Sequence, residues 1–68
     1  MLNTKVGDNA VVKVENFPGR IFEREATVTA VDDTTITVTV NENASTLEFR
    51  KDTGVNVYGE RYGWVELK

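Results

Sequence analysis

The chain has 68 residues, eleven Asp+Glu against eight Lys+Arg, a net charge of -3, and neither Cys nor His. One small domain is therefore expected over residues 1–68, without disulfides, a thiol nucleophile or the general base usual at neutral pH. Eleven Val, two Ile and nine Thr outnumber seven Leu and Ala, which excludes a helical bundle and favours strands.

Taken in chain order, Val6-Gly7-Asp8 is a turn-like lead-in, because Gly accepts left-handed dihedrals and Asp bonds its own backbone. Asn9 to Glu15 is the first expected strand, with Ala10, Val12 and Val14 on one face and Val11, Lys13 and Glu15 on the other. Asn16-Phe17-Pro18-Gly19-Arg20 is expected to be a loop centred on Pro18-Gly19, folding Phe17 and Phe22 back over the core or presenting them as a contact. Glu25 to Val31 is the second strand, with Ala26, Val28 and Ala30 inward. Asp32-Asp33-Thr34 turns the chain into Thr35 to Val40, where Ile36, Val38 and Val40 alternate with Thr35, Thr37 and Thr39. This pair is the clearest hairpin in the sequence, and its outer threonine rows are suited to cross-strand pairing.

A polar loop, Asn41 to Ser45, leads to Thr46–Arg50, with Leu47 and Phe49 inward. Lys51-Asp52-Thr53-Gly54 suits a single 3₁₀ turn. Val55 to Tyr58 reads as extended with Val55 and Val57 inward, followed by a glycine-flanked loop and a last strand, Trp64 to Leu67. Five or six short antiparallel strands with one 3₁₀ turn make an all-β domain whose closure would protect exposed edges.

This order of elements resembles the SH3-like barrel. The stretch Lys5-Val6-Gly7-Asp8-Asn9-Ala10-Val11-Val12 also resembles the lead-in of SH3-like and KOW-type barrels. The Ala-Leu-Tyr-Asp-Tyr run of eukaryotic SH3 domains is absent, so proline-peptide binding does not transfer. In size and style the chain is also similar to small β-barrel proteins of tailed phages.

Catalytic chemistry finds no support in the residues. Ser45, the single Ser, has no His to activate it, and adjacent Asp32 and Asp33 on a turn do not make a convergent carboxylate pair. No cofactor is expected. No apolar run reaches the ~20 residues of a membrane span and no signal peptide is visible, so a cytoplasmic location is expected, that of a host if the chain is phage-encoded.

The residues with binding character are Tyr58, Arg61, Tyr62 and Trp64, since Tyr, Trp and Arg dominate interaction hot spots. Trp64 and one Tyr are equally suited to cap an open end of the core. Phe17 and Arg20 are added as a second contact. The expected role is a protein-binding module, monomeric or a small homo-oligomer. Single-stranded nucleic acid is the alternative, with Tyr58, Tyr62 and Trp64 stacking beside Arg50, Lys51 and Arg61, but the acidic balance weighs against phosphate binding.

Overall fold

The computed structural model describes residues 3–68, with the side chain of Phe17 outside the described residues. Five strands form: β1 (Asn9–Phe17), β2 (Arg20–Val31), β3 (Thr35–Val40), β4 (Thr46–Arg50) and β5 (Trp64–Leu67), with one 3₁₀ turn at Glu60–Tyr62. They make a single antiparallel sheet in the order β4-β3-β2-β1-β5, curled into a half-barrel. β1 to β4 form a meander because each follows its neighbour through a short turn, whereas β5 returns to the far side of β1.

Alternation drives the core. Ala10 and Val12 from β1, Ala26 and Val28 from β2, Ile36 and Val38 from β3, Phe49 from β4 and Val65 from β5 are all buried on the concave side. Phe49, Ile36, Val28 and Val38 lose essentially all exposure, each burial stabilising the fold by roughly 1.5–3 kcal/mol. The lead-in is tied to β2 by Gly7 N–H to the Val28 carbonyl (2.8 Å) and Val28 N–H to the Asp8 carbonyl (2.9 Å). The Asp8 carboxylate accepts from Lys5 N–H (3.0 Å) and the Thr4 hydroxyl (2.9 Å), which closes the turn.

The outer strands β4 and β5 are joined through residues 54–57. Arg50 N–H donates to the Val55 carbonyl (2.7 Å) and Val57 N–H to the Glu48 carbonyl (3.2 Å), while Val65 N–H donates to the Gly54 carbonyl (2.8 Å) and Asn56 N–H to the Gly63 carbonyl (2.9 Å). One short segment therefore bonds both edges of the sheet.

Several expectations are corrected. The loop expected at residues 16–20 is a tight turn inside a longer hairpin: β1 runs on to Phe17 and β2 starts at Arg20, with Val14 opposite Phe22 and Lys13 opposite Glu23. Phe22 is thus a strand residue and does not lie over the core in a folded-back loop. Ala30 is exposed, because a register shift between Val28 and Ala30 inserts one extra residue. Val31 packs on the core in its place. The 3₁₀ turn lies at Glu60–Tyr62, whereas Lys51–Thr53 is a plain turn closed by Gly54 N–H to the Arg50 carbonyl (2.7 Å). The expected inward placement of Val55 and Val57 is reversed: Asn56 lies opposite the buried Phe49 and is itself buried, Val55 lies opposite the outward-facing Trp64, and the exposed Val57 begins the turn to Tyr58.

Candidate functional site

The aromatic run from Tyr58 to Trp64 divides between two surfaces. In β5, Val65 faces the core opposite Val12, so Trp64 and Glu66 face outward, with Trp64 opposite Lys13. The Trp64 indole N–H donates to the Glu66 carboxylate (3.2 Å), whose other oxygen holds Lys13 Nζ at 3.1 Å. Lys13 also reaches Glu23 at 3.7 Å, linking β2, β1 and β5 across the convex face. The Lys13 ammonium, with the Trp64 N–H, holds the Glu66 carboxyl below its ordinary range, and Glu66 in turn raises Lys13. Trp64 is half-buried with its polar atom engaged, beside Glu15, Glu60 and Arg61. It neither fills the core nor joins the tyrosines.

Tyr58 and Tyr62 do come together. Their ring centroids lie 6.3 Å apart at 75°, an edge-to-face contact favoured by the ring quadrupoles, and no other aromatic pair occurs among the described residues. Tyr58 is 82% exposed and Tyr62 53%. Beneath them Asn56, only 4% exposed, accepts the Tyr58 N–H on its side-chain oxygen (2.9 Å) and the Gly59 N–H on its backbone carbonyl (2.9 Å). That arrangement is a turn closed by its own first side chain, and it sets Tyr58 out in solvent. The pattern of the sequence put Val57 in the buried position. An Asn two residues before an exposed aromatic was the available signal for the turn.

Tyr62 also stands at one side of an open groove of about 460 Å³ on the concave face. Val12 and Val14 of β1, Phe22 and Arg24 of β2, Val40 of β3 and Leu47 of β4 line it, with Asn16, Asn43 and Ser45 at its polar margin. Phe22 retains 37% exposure there. Its position follows from cross-strand pairing with Val14, which becomes visible once β1 and β2 are known to extend to the Pro18-Gly19 turn. Arg20 lies exposed at the start of β2, apart from the tyrosines along the chain, and makes no ion pair among the described residues. The contact expected of the Phe17 side chain falls outside the described residues.

The cations of the nucleic-acid alternative divide between two clefts, Arg50 and Lys51 lining one and Arg61 the other. Arg50 makes a two-pronged contact with Asp52 (3.2 Å on each branch), which lowers the Asp52 carboxyl from its ordinary range. Lys51 reaches the Asp32 carbonyl (3.4 Å) in the cleft it shares with Arg50, Asp33, Asp52 and Val57. Arg61 lies in a different cleft, beside Glu15 and Glu60. No group of three metal-ligating side chains occurs among the described residues, nor a helix long and apolar enough to cross a membrane. No protein-family model, curated protein or solved structure matches the chain.

Proposed function

We propose that the chain is a non-enzymatic module that binds another protein through Tyr58, Tyr62 and the apolar groove beside them. The observation that carries this reading is the placement of Tyr58. A buried Asn holds the turn, and an aromatic ring stands almost wholly in water against a second exposed ring. Large exposed apolar surface with a rigid mount is characteristic of interaction sites. The meander closed by β5, with a 3₁₀ turn ahead of it, supports placing the fold among SH3-like barrels. The likeness to small phage β-barrels makes a host or phage protein in the host cytoplasm the first partner to test.

Single-stranded nucleic acid fits less well, since Arg50 is held by Asp52 and Arg61 lies beside two carboxylates. The test is site-specific photo-crosslinking from position 58, with position 48 on β4 as the comparison, followed by affinity measurement with the purified partner. Tyr58→Ala is expected to weaken that partner by about 30-fold, the effect of about 2 kcal/mol at a hot spot, without changing the melting temperature. Equal affinity for wild type and variant overturns the reading.

A further inference from the structure

The sheet ends unevenly. β3 pairs with β2 only from Ala26 to Val31, and Asn41 N–H bonds the Glu25 carbonyl at the limit of that ladder. Beyond it, Arg20 to Arg24 pair with β1 on one side, and no strand among the described residues pairs with the other. Backbone groups alternate in direction along an antiparallel strand. The Glu25 carbonyl faces β3 and Val28 N–H faces the lead-in, so the N–H and C=O groups of Ile21 and Glu23 are the ones that point away from β1. Ile21 is itself 53% exposed. Long free edges of this kind are templates for another strand.

The side chains along that edge are arranged for one kind of strand. Cross-strand pairing with Val12 and Val14 places Arg24 and Phe22 on the concave face, and period-two spacing extends that face to Arg20. The edge therefore presents cation, aromatic, cation on the face that carries the groove. Arg24 already holds a carboxylate, that of Glu42 in the β3–β4 loop (3.5 Å), and donates to the outward-facing Glu23 carbonyl (3.2 Å). Both are groups that an incoming acidic strand would replace or displace. Self-pairing centred on Phe22 would set Arg20 against Arg24 of a second copy, a like-charge contact that disfavours a homodimer.

We infer that the free edge of β2 from Arg20 to Arg24 accepts an extended segment of another protein, antiparallel, with acidic, apolar and acidic side chains at alternate positions facing Arg20, Phe22 and Arg24. The inference rests on the protein-binding reading above and names the partner's chemistry: main-chain bonds to Ile21 and Glu23 supply register, the central apolar side chain covers Phe22, and the flanking carboxylates supply selectivity.

The probe is a capped five-residue peptide, Glu-Thr-Val-Thr-Glu, titrated into isotope-labelled protein and followed by amide NMR and hydrogen exchange. Shifts and slowed exchange at the Ile21 and Glu23 amides are expected. N-methylation of the peptide amides facing β2 is expected to abolish both effects, and replacing the terminal acids with Lys to weaken binding by roughly tenfold, the scale of two reversed exposed pairs. Binding of the Lys peptide with equal strength overturns the assigned chemistry. Shifts confined to Tyr58 and Tyr62, with Ile21 and Glu23 silent, overturn the edge alone and leave the aromatic surface standing. Concentration-dependent shifts at Ile21 and Glu23 without peptide assign the edge to a second copy and overturn the proposal. A silent spectrum up to millimolar peptide also overturns it, while a Tyr58-dependent partner found by crosslinking would keep the broader reading.

Discussion

A single methyl group added at Gly63 should do heavy damage. Its backbone has φ 107° and ψ -178°, a conformation essentially reserved for glycine, and Gly59 at the other end of the 3₁₀ turn is alike, with φ 126° and ψ 162°. Replacing either by Ala imposes about 1–3 kcal/mol of backbone strain. The two sites differ in space. A Cβ at Gly59 meets nothing within 4 Å, whereas at Gly63 it would lie 2.5 Å from the Lys13 carbonyl oxygen and 3.0 Å from a Val14 methyl. Lys13 sits in the middle of β1, paired to both β2 and β5, so its carbonyl has little freedom to retreat. Moving Gly63 instead stretches its bonds to Asn56 N–H (2.9 Å) and the Glu60 carbonyl (3.0 Å), each worth about 1 kcal/mol. Gly63→Ala should therefore cost about 2 kcal/mol more than Gly59→Ala, a large part of the few kcal/mol that hold a domain of this size. In thermal unfolding followed by circular dichroism, that excess lowers the midpoint by about 8–16 °C relative to Gly59→Ala. Equal midpoints for the two variants would show that β1 yields at Lys13, and the close-approach argument would fail.

Two further outcomes follow from the same geometry. Asn56→Ala removes the acceptor of the Tyr58 N–H and is expected to cost about 1–3 kcal/mol in urea unfolding, with faster exchange at the Tyr58 amide; unchanged exchange there would remove Asn56 from the account of the turn. Asp8 (through Lys5 N–H, then Thr4), Glu25 (through Lys68), Asp52 (through Arg50) and Glu66 (through Lys13, then Trp64) have carboxyls lowered from their ordinary range. A carboxyl lowered in the folded state contributes stability above its unfolded value, about pH 4, and loses it as pH falls through the folded value. Urea midpoints should decline on acidification below about pH 4, and Glu66→Gln should make the decline shallower; an identical slope would show that the Lys13–Glu66 pair carries none of it.

Alternation made β3 legible, since Ile36, Val38 and Val40 face the core with threonines between them, and it placed Leu47 and Phe49 correctly on β4. It failed where one residue was added. The extra residue after Val28 exchanges the roles of Ala30 and Val31, and both are apolar, so composition could not reveal the shift. It failed differently at Arg20 to Glu25, where neither face is buried and no period is imposed on the side chains. That stretch is a strand because β1 supplies a partner, a tertiary cause with no local signature. The tyrosines were visible as residues, but their separation from Trp64 depends on which faces of the sheet and turn they occupy.

The segment from Gly54 to Val57 has a consequence for the order of events during folding. Its bonds reach only nearby parts of the chain, back to Glu48 and Arg50 and forward to Gly63 and Val65, although they join opposite borders of the sheet. The meander from β1 to β4 and this seam can both assemble from neighbours in sequence, whereas the β1–β5 ladder, with Val12 opposite Val65, joins distant parts of the chain, and loop closure makes such contacts late. Reversed in time, the β1–β5 ladder is the part expected to let go first, and its release uncovers a border of β1. The turn that mounts Tyr58 belongs to the locally closed seam, so the surface it presents does not wait on that distant closure.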